Sequence, residues 1–276
     1  TAVGYVALLS ATTASNNTAI GALALAQNTT ADDNVGVGYQ ALTTNTTGAS
    51  NTGVGRNALA NNTTASHNTA VGNQSLGANT TGTENTAVGA SALDANTTGT
   101  ENVAIGTSSL GANTTASNNV AVGRMALRDN TTGASNTAIG HQALIVNTTA
   151  DNNTAVGKNS LSANTTGHSN VSVGTQAGGA LTTGNENVFV GFQAGTHATS
   201  LQTGVGNVLL GNQTDTDASD TSHAIVIGYD VTGTASTTTL GSGSSDIRTN
   251  HGSTAWATVS DERVKKDITD STAGLS

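Results

Sequence analysis

The sequence predicts an all-β fold, a β-solenoid or β-roll built from 17-residue coils. Three observations carry that prediction. A 17-residue unit starts at Thr1 and repeats eleven times without insertion up to Asn187. Two consecutive copies, TAVGNQSLGANTTGTEN (69–85) and TAVGASALDANTTGTEN (86–102), show the pattern most plainly. Within every copy the third position is Val or Ile and the fourth is Gly. Seventeen residues are too few for a helical repeat, which needs roughly 34 or more, but they suffice for one solenoid coil.

The columns of the repeat explain the coil element by element. Position one is Thr or Val and position three Val or Ile, as in Val3, Ile20 and Val37. Both sit on one side of an extended segment, because strand side chains alternate with period two. β-Branched residues favour that pleated surface. The invariant Gly at position four, from Gly4 to Gly174, marks a turn that needs positive φ or close backbone approach. Positions seven and eight read Ala or Ser and then Leu, as in Ala58 and Leu59, and suggest a second strand-like run. An Asn-Thr-Thr run and a closing Asn follow, and both Asn columns read as corners that tolerate left-handed backbone. Stacking puts like residues over like, so Asn side chains are expected to form ladders. At a coil rise of about 4.8 Å, eleven coils make a rod roughly 50 Å long.

Position two is Ala or Gly in ten copies and Ser172 in the eleventh. Such a stripe lets another chain approach closely, which predicts a homotrimeric fibre. The same column also fits a tight interior within one chain. Residues 188–241 keep a looser version of the pattern with larger apolar residues, among them Phe189 and Phe192, and read as closing coils. Residues 242–259 read as a polar neck, and 260–276 as the start of a further domain.

Composition excludes several function classes. The net charge is −9 with only eight Lys and Arg, which argues against a nucleic-acid partner. The absence of Cys rules out a disulfide framework and a thiolate zinc site. No apolar run approaches the roughly 18 residues of a spanning helix, so no membrane insertion is expected. Residue 1 falls inside a repeat and is not Met, so the chain reads as a piece of a longer one. None of the six His pair at metal-ligand spacing, and no metal or cofactor is expected. The acids Asp32, Asp33, Glu84, Glu101, Asp151 and Glu186 share positions 15 and 16. That column placement reads as an exposed corner, not as the carboxylate pair of a glycosidase. Adjacent Thr residues point to opposite faces, so the Thr-Thr runs do not build a flat ice-binding array. Position five varies most, and Tyr5, Tyr39, Arg56, Arg124 and Lys158 there are the candidate receptor-binding residues.

Near the C-terminus the repeat gives way to TAWATVSDERVKKDI, with two acids and three bases within residues 260–266. Ser260, Asp261, Arg263, Lys265 and, more loosely, Asp267 and Ile268 resemble the opening motif of a particular domain. This is the self-cleaving intramolecular chaperone domain that ends phage tail fibres and endosialidase-type tailspikes. The resemblance covers about ten residues. It implies Ser260 as nucleophile, Lys265 as base, and cleavage between Val259 and Ser260. Any enzymatic activity would be that single cut. A Ser needs such a base to become nucleophilic, and Ser-Lys pairs supply one. The same residues also fit a helix start, with Ser260 as N-cap and acids in the first turn. The resemblance implies an extracellular, virion-tail protein whose partners are its own copies, other tail proteins and host surface glycan. The repeats are also similar to the β-roll heads of trimeric bacterial adhesins, which makes a surface adhesin the alternative.

Overall fold

The structure, a computed structural model, describes residues 1–243, 245–253 and 257–258. It is an all-β solenoid of about 14 turns with no helix among the described residues. The expected coil length holds: strands pair in parallel with partners 17 residues apart, as Thr69 with Thr86, Ala70 with Ala87 and Val71 with Val88.

Each regular coil carries one strand, not two. The strand occupies positions one to three, as in Thr86–Val88 or Val120–Val122. The Ala-Leu run at positions seven and eight forms turns instead. Positions six and eight lie in the left-handed region in coil after coil, for example Gln74 at φ 56° and Leu76 at φ 52°. Their N–H groups still bond between coils, but in opposite directions. Gln74 donates to Arg56 in the preceding coil and Leu76 to Ala92 in the following one. A Leu held there costs about 1–2 kcal/mol. Burying its side chain returns about 1.5–3 kcal/mol. Leu25 through Leu161 in this column are fully buried, so packing wins.

The second column forms the wall opposite those Leu side chains. Ala19, Ala70, Ala87, Ala104 and Ala121 are completely buried inside the single chain. The expectation that this stripe meets another chain is therefore wrong. Its residues are small because the coil is thin. A Cβ built on Gly36 would come within 3.2 Å of Leu25 Cγ, so one Leu per coil fills the interior and leaves room for little more than Ala.

The turn glycines meet both conditions anticipated for them. From Gly4 to Gly174 their φ lies between +127° and +138°. A Cβ on Gly106 would stand 2.6 Å from the carbonyl oxygen of Gly123 in the next coil.

The Asn columns form ladders, but their backbones are not left-handed. The left-handed residue at that corner is position 16, for example Glu84 at φ 60°. Both Asn columns point inward and are buried. At position 11, Asn96 Nδ2 donates to Asn79 Oδ1 at 2.9 Å and to Gly99 O at 3.0 Å, and Asn113 repeats this one coil on. This ladder runs from Asn28 to Asn164 and stops where Leu181 takes the next place, leaving Asn164 Oδ1 buried and unpaired. At position 17, the Oδ1 of Asn85 accepts the backbone N–H of Asn102 at 3.0 Å. That ladder continues through Asn207, whose Oδ1 accepts Ala224 N at 2.9 Å. The two Thr that follow position 11 divide their work. Thr97 Oγ1 donates to Thr114 O at 3.0 Å, whereas Thr98 and its equivalents face outward. Asn-Thr-Thr also matches the acceptor sequence for N-glycosylation, but the Asn of each such run is buried in a ladder and offers no accessible amide.

The closing coils exchange volumes. Position eight becomes Gly178 and Gly195, and Phe189 at position two fills the vacated space with no exposure. Leu181 and Leu201 replace the position-11 Asn. The 20-residue coil at 188–207 carries its extra residues as a loop. Buried Asp215 holds that loop: its Oδ2 accepts Ala198 N at 2.6 Å and Thr199 N at 2.8 Å. The parallel ladder ends on Thr237–Ser242, which turns back as a hairpin onto Ser245–Asn250, with Ala257–Thr258 beyond. The described part of the expected neck is thus largely strand. In the hairpin, burial pushes the Asp246 carboxyl above its ordinary value; Arg248 opposes this and Asp230 adds to it. Its Oδ1 has no partner.

Three tests follow from this geometry. Gly106→Ala should lose about 3 kcal/mol or more in urea unfolding, from left-handed strain plus a backbone collision. Gly111→Ala, where φ is ordinary and the nearest neighbour is 3.5 Å away, should stay within about 0.5 kcal/mol. Asn96→Ala should cost about 1–3 kcal/mol, because Asn79 Oδ1 is left buried without its donor; an unchanged midpoint would remove the ladder as a stabilising element. For Asp246, a folded-state pKa above the unfolded one means stability is lost as pH rises through the folded value. Asp246→Asn should therefore raise the melting temperature at neutral pH, and the gain should vanish below about pH 3.

Candidate functional site

The residues expected to carry chemistry, Val259, Ser260 and Lys265, lie outside the described residues, as does all of 260–276. The described rod offers surfaces instead.

The first is the ridge at position five. It follows directly on the turn glycine, so its side chains leave the coil at a corner. Tyr5, Tyr39, Arg56, Arg124 and Lys158 are all exposed, as are Phe192 and Tyr229. Stacking brings the members of this column into one line. Arg124 Nη1 lies 3.2 Å from His141 Nε2 one coil later. It does not gather them into one pocket: Tyr39 and Arg124 are five coils apart, roughly 24 Å at the rise of a parallel sheet. The ridge can meet an extended partner but cannot enclose a small one.

The acidic corner divides by column: Glu84, Glu101 and Glu186 at position 16 are exposed, whereas the acids at position 15 bond between coils. Asp32 Oδ1 accepts Ser15 N at 2.6 Å, and Asp151 Oδ1 accepts Ala134 N at 2.6 Å. Ser66, Ser117 and Asn185 make the same bond elsewhere in this column. A carboxylate at position 15 thus ties one coil to the preceding one, as a hydroxyl or an amide does. Among the described residues no group of three His, Asp or Glu side chains could hold a metal ion.

The second surface was not singled out from the sequence. It is the outer face of the strand stack, formed by positions one and three. Ile20, Val71, Ile105, Ile139, Val173 and Val190 are each between 37% and 41% exposed there. Neither column contains a charged residue from Thr1 to Ile227. The result is a flat, uncharged, β-branched strip along the rod. Its signal was present in the Val/Ile column. Period two alone says which residues share a side, and not which side turns inward. Asp215, the buried carboxylate of the long coil, gave no advance signal because it stands where the repeat has already loosened. Comparison with protein-family models, curated proteins and solved structures returned no match for this chain.

Proposed function

We propose that this chain is a shaft segment of a homotrimeric fibre of the phage tail-fibre kind, serving host attachment and releasing a C-terminal chaperone by one cut before Ser260. The observation that carries the reading is the uncharged strip of positions one and three on a rigid rod, with the Ser-Asp-Glu-Arg-Val-Lys motif beyond its end. Its position-three column is a continuous line of Val and Ile, and contiguous exposed apolar surface marks interaction sites in soluble proteins. The partner that fits this one is another copy of the same chain. Only a rod with the same coil rise keeps its side chains in register over many coils. The rest of the surface carries the acidic excess, which disfavours face-to-face contact elsewhere. Three copies meeting along this strip would bury it, in place of the Ala/Gly stripe that lies inside each chain.

Two measurements on the full chain test the reading. Sedimentation velocity of the Ser260→Ala chain, which stays whole, should give three times the 27.0 kDa chain mass. The double variant Val88→Lys, Val122→Lys should sediment as one chain while keeping its β-type circular dichroism. A wild-type monomer would sink the fibre reading. Denatured intact mass should show a wild-type chain ending at Val259 and a Ser260→Ala chain left whole. If both chains stay whole and the trimer persists, the adhesin-head alternative replaces the tail fibre.

A further inference from the structure

A groove of about 700 Å³ runs along the rod on the face between position six and positions nine and ten, across the second to sixth coils. Its lining is rich in side-chain amides. Gln40, Asn57 and Gln74 stack in position six one coil apart, and Asn61 faces them from position ten. Asn57 Oδ1 is buried and has no hydrogen-bond partner. Elsewhere in the same column Gln193 bonds to Gln176 at 3.2 Å and Gln142 to Met125 at 4.0 Å, whereas Asn159 Oδ1 is unpaired as Asn57 Oδ1 is.

The groove exists because its floor is small. Ala60 and Gly77 occupy position nine there, where later coils place Arg128 and Ile145. It carries one ionisable group, Asp94. Burial pushes that carboxyl above the ordinary range, against hydrogen bonds from its own backbone and Ser91. At the adjoining corner stands Tyr39, one residue before Gln40 and 46% exposed.

We propose that this groove binds a neutral oligosaccharide laid along the rod axis. A side-chain amide offers both donors and an acceptor, which is what a row of hydroxyl groups requires, each being donor and acceptor at once. The amides recur at the coil rise, so they match a ligand that itself repeats. An exposed Tyr presents an apolar ring face with a polar tip, suited to the C–H face of a sugar ring. A peptide of similar length fits less well, since the groove offers neither an open strand edge nor side-chain pockets of strong apolar character. The proposal does not depend on the fibre reading, because the groove lies within one chain.

The test uses the full chain and isothermal titration calorimetry with three probes: hexamers of β-1,4-linked glucose, β-1,4-linked N-acetylglucosamine and α-1,4-linked glucose. At least one should bind with Kd at or below about 1 mM. Ala60→Ile, which places in the groove the residue that Ile145 already contributes to the same column, should weaken that probe at least tenfold without lowering the melting temperature. Gln74→Ala should weaken it as well. Asn159→Ala alters the other position-six Asn with an unpaired Oδ1, outside the groove, and should change nothing. No binding by any hexamer, or equal binding by wild type and Ala60→Ile, overturns the proposal. A monomeric wild type that still binds would refute the trimer and leave the groove standing.

Discussion

The closing Asn of each coil accepts the backbone N–H of the closing Asn one coil later, at 2.9–3.0 Å from Asn17 to Asn187. Its own amide donates onward to a carbonyl in that next coil, as Asn85 does to Gly99 at 2.9 Å. A buried polar backbone at a corner would otherwise cost the full desolvation of each unpaired group. The ladder removes that cost only if every coil returns an Asn to the same corner. The 17-residue period, the single strand and the tight turn glycine all follow from keeping this register. Where the period changes, at 188–207, the Asn ladder still holds and the extra residues are pushed outward into the loop gripped by Asp215.

The interior obeys a companion rule of constant volume. One wall supplies a Leu per coil and the other an Ala or Gly. Where Leu gives way to Gly178 and Gly195, Ala gives way to Phe189. Close packing makes these two columns answer each other, since a thin core has no second layer to absorb a mismatch.

How much of this was legible in the sequence depends on what each column's chemistry determines alone. The coil length, the strand position and the turn glycine were readable because period, β-branching and positive φ are local properties. The direction of the strand's two faces was not, because it depends on the Leu opposite, which arrives from another part of the coil. The Asn residues were read as left-handed corners on their tolerance of that conformation. Burial gave them a different task, and the left-handed backbone passed to Glu84 and its equivalents, which solvent can reach. The Ala-Leu run looked like a strand by composition, yet alternating left-handed residues turn it. The exposed ridge at position five was legible, since variability within an otherwise strict repeat is itself a sign of solvent. The groove was not, because it appears only when small residues at position nine fall beside amides at position six over several consecutive coils.

The end of the position-11 ladder at Asn164 has a mechanical meaning. In a solenoid each coil is held only by its neighbours, so the array behaves as a one-dimensional chain of interfaces. Nine coils are joined by an unbroken line of amide bonds, all pointing the same way, and then the line stops on an oxygen with nothing to accept. Immediately beyond, the core changes from Leu to Gly and Phe. The position-11 line is therefore a zipper that ends there, while the position-17 ladder crosses the same point through Asn170 and Asn187. Pulled along its axis, the rod is held beside Leu181 by one amide ladder where the regular coils have two, so that is where its coils are least firmly joined.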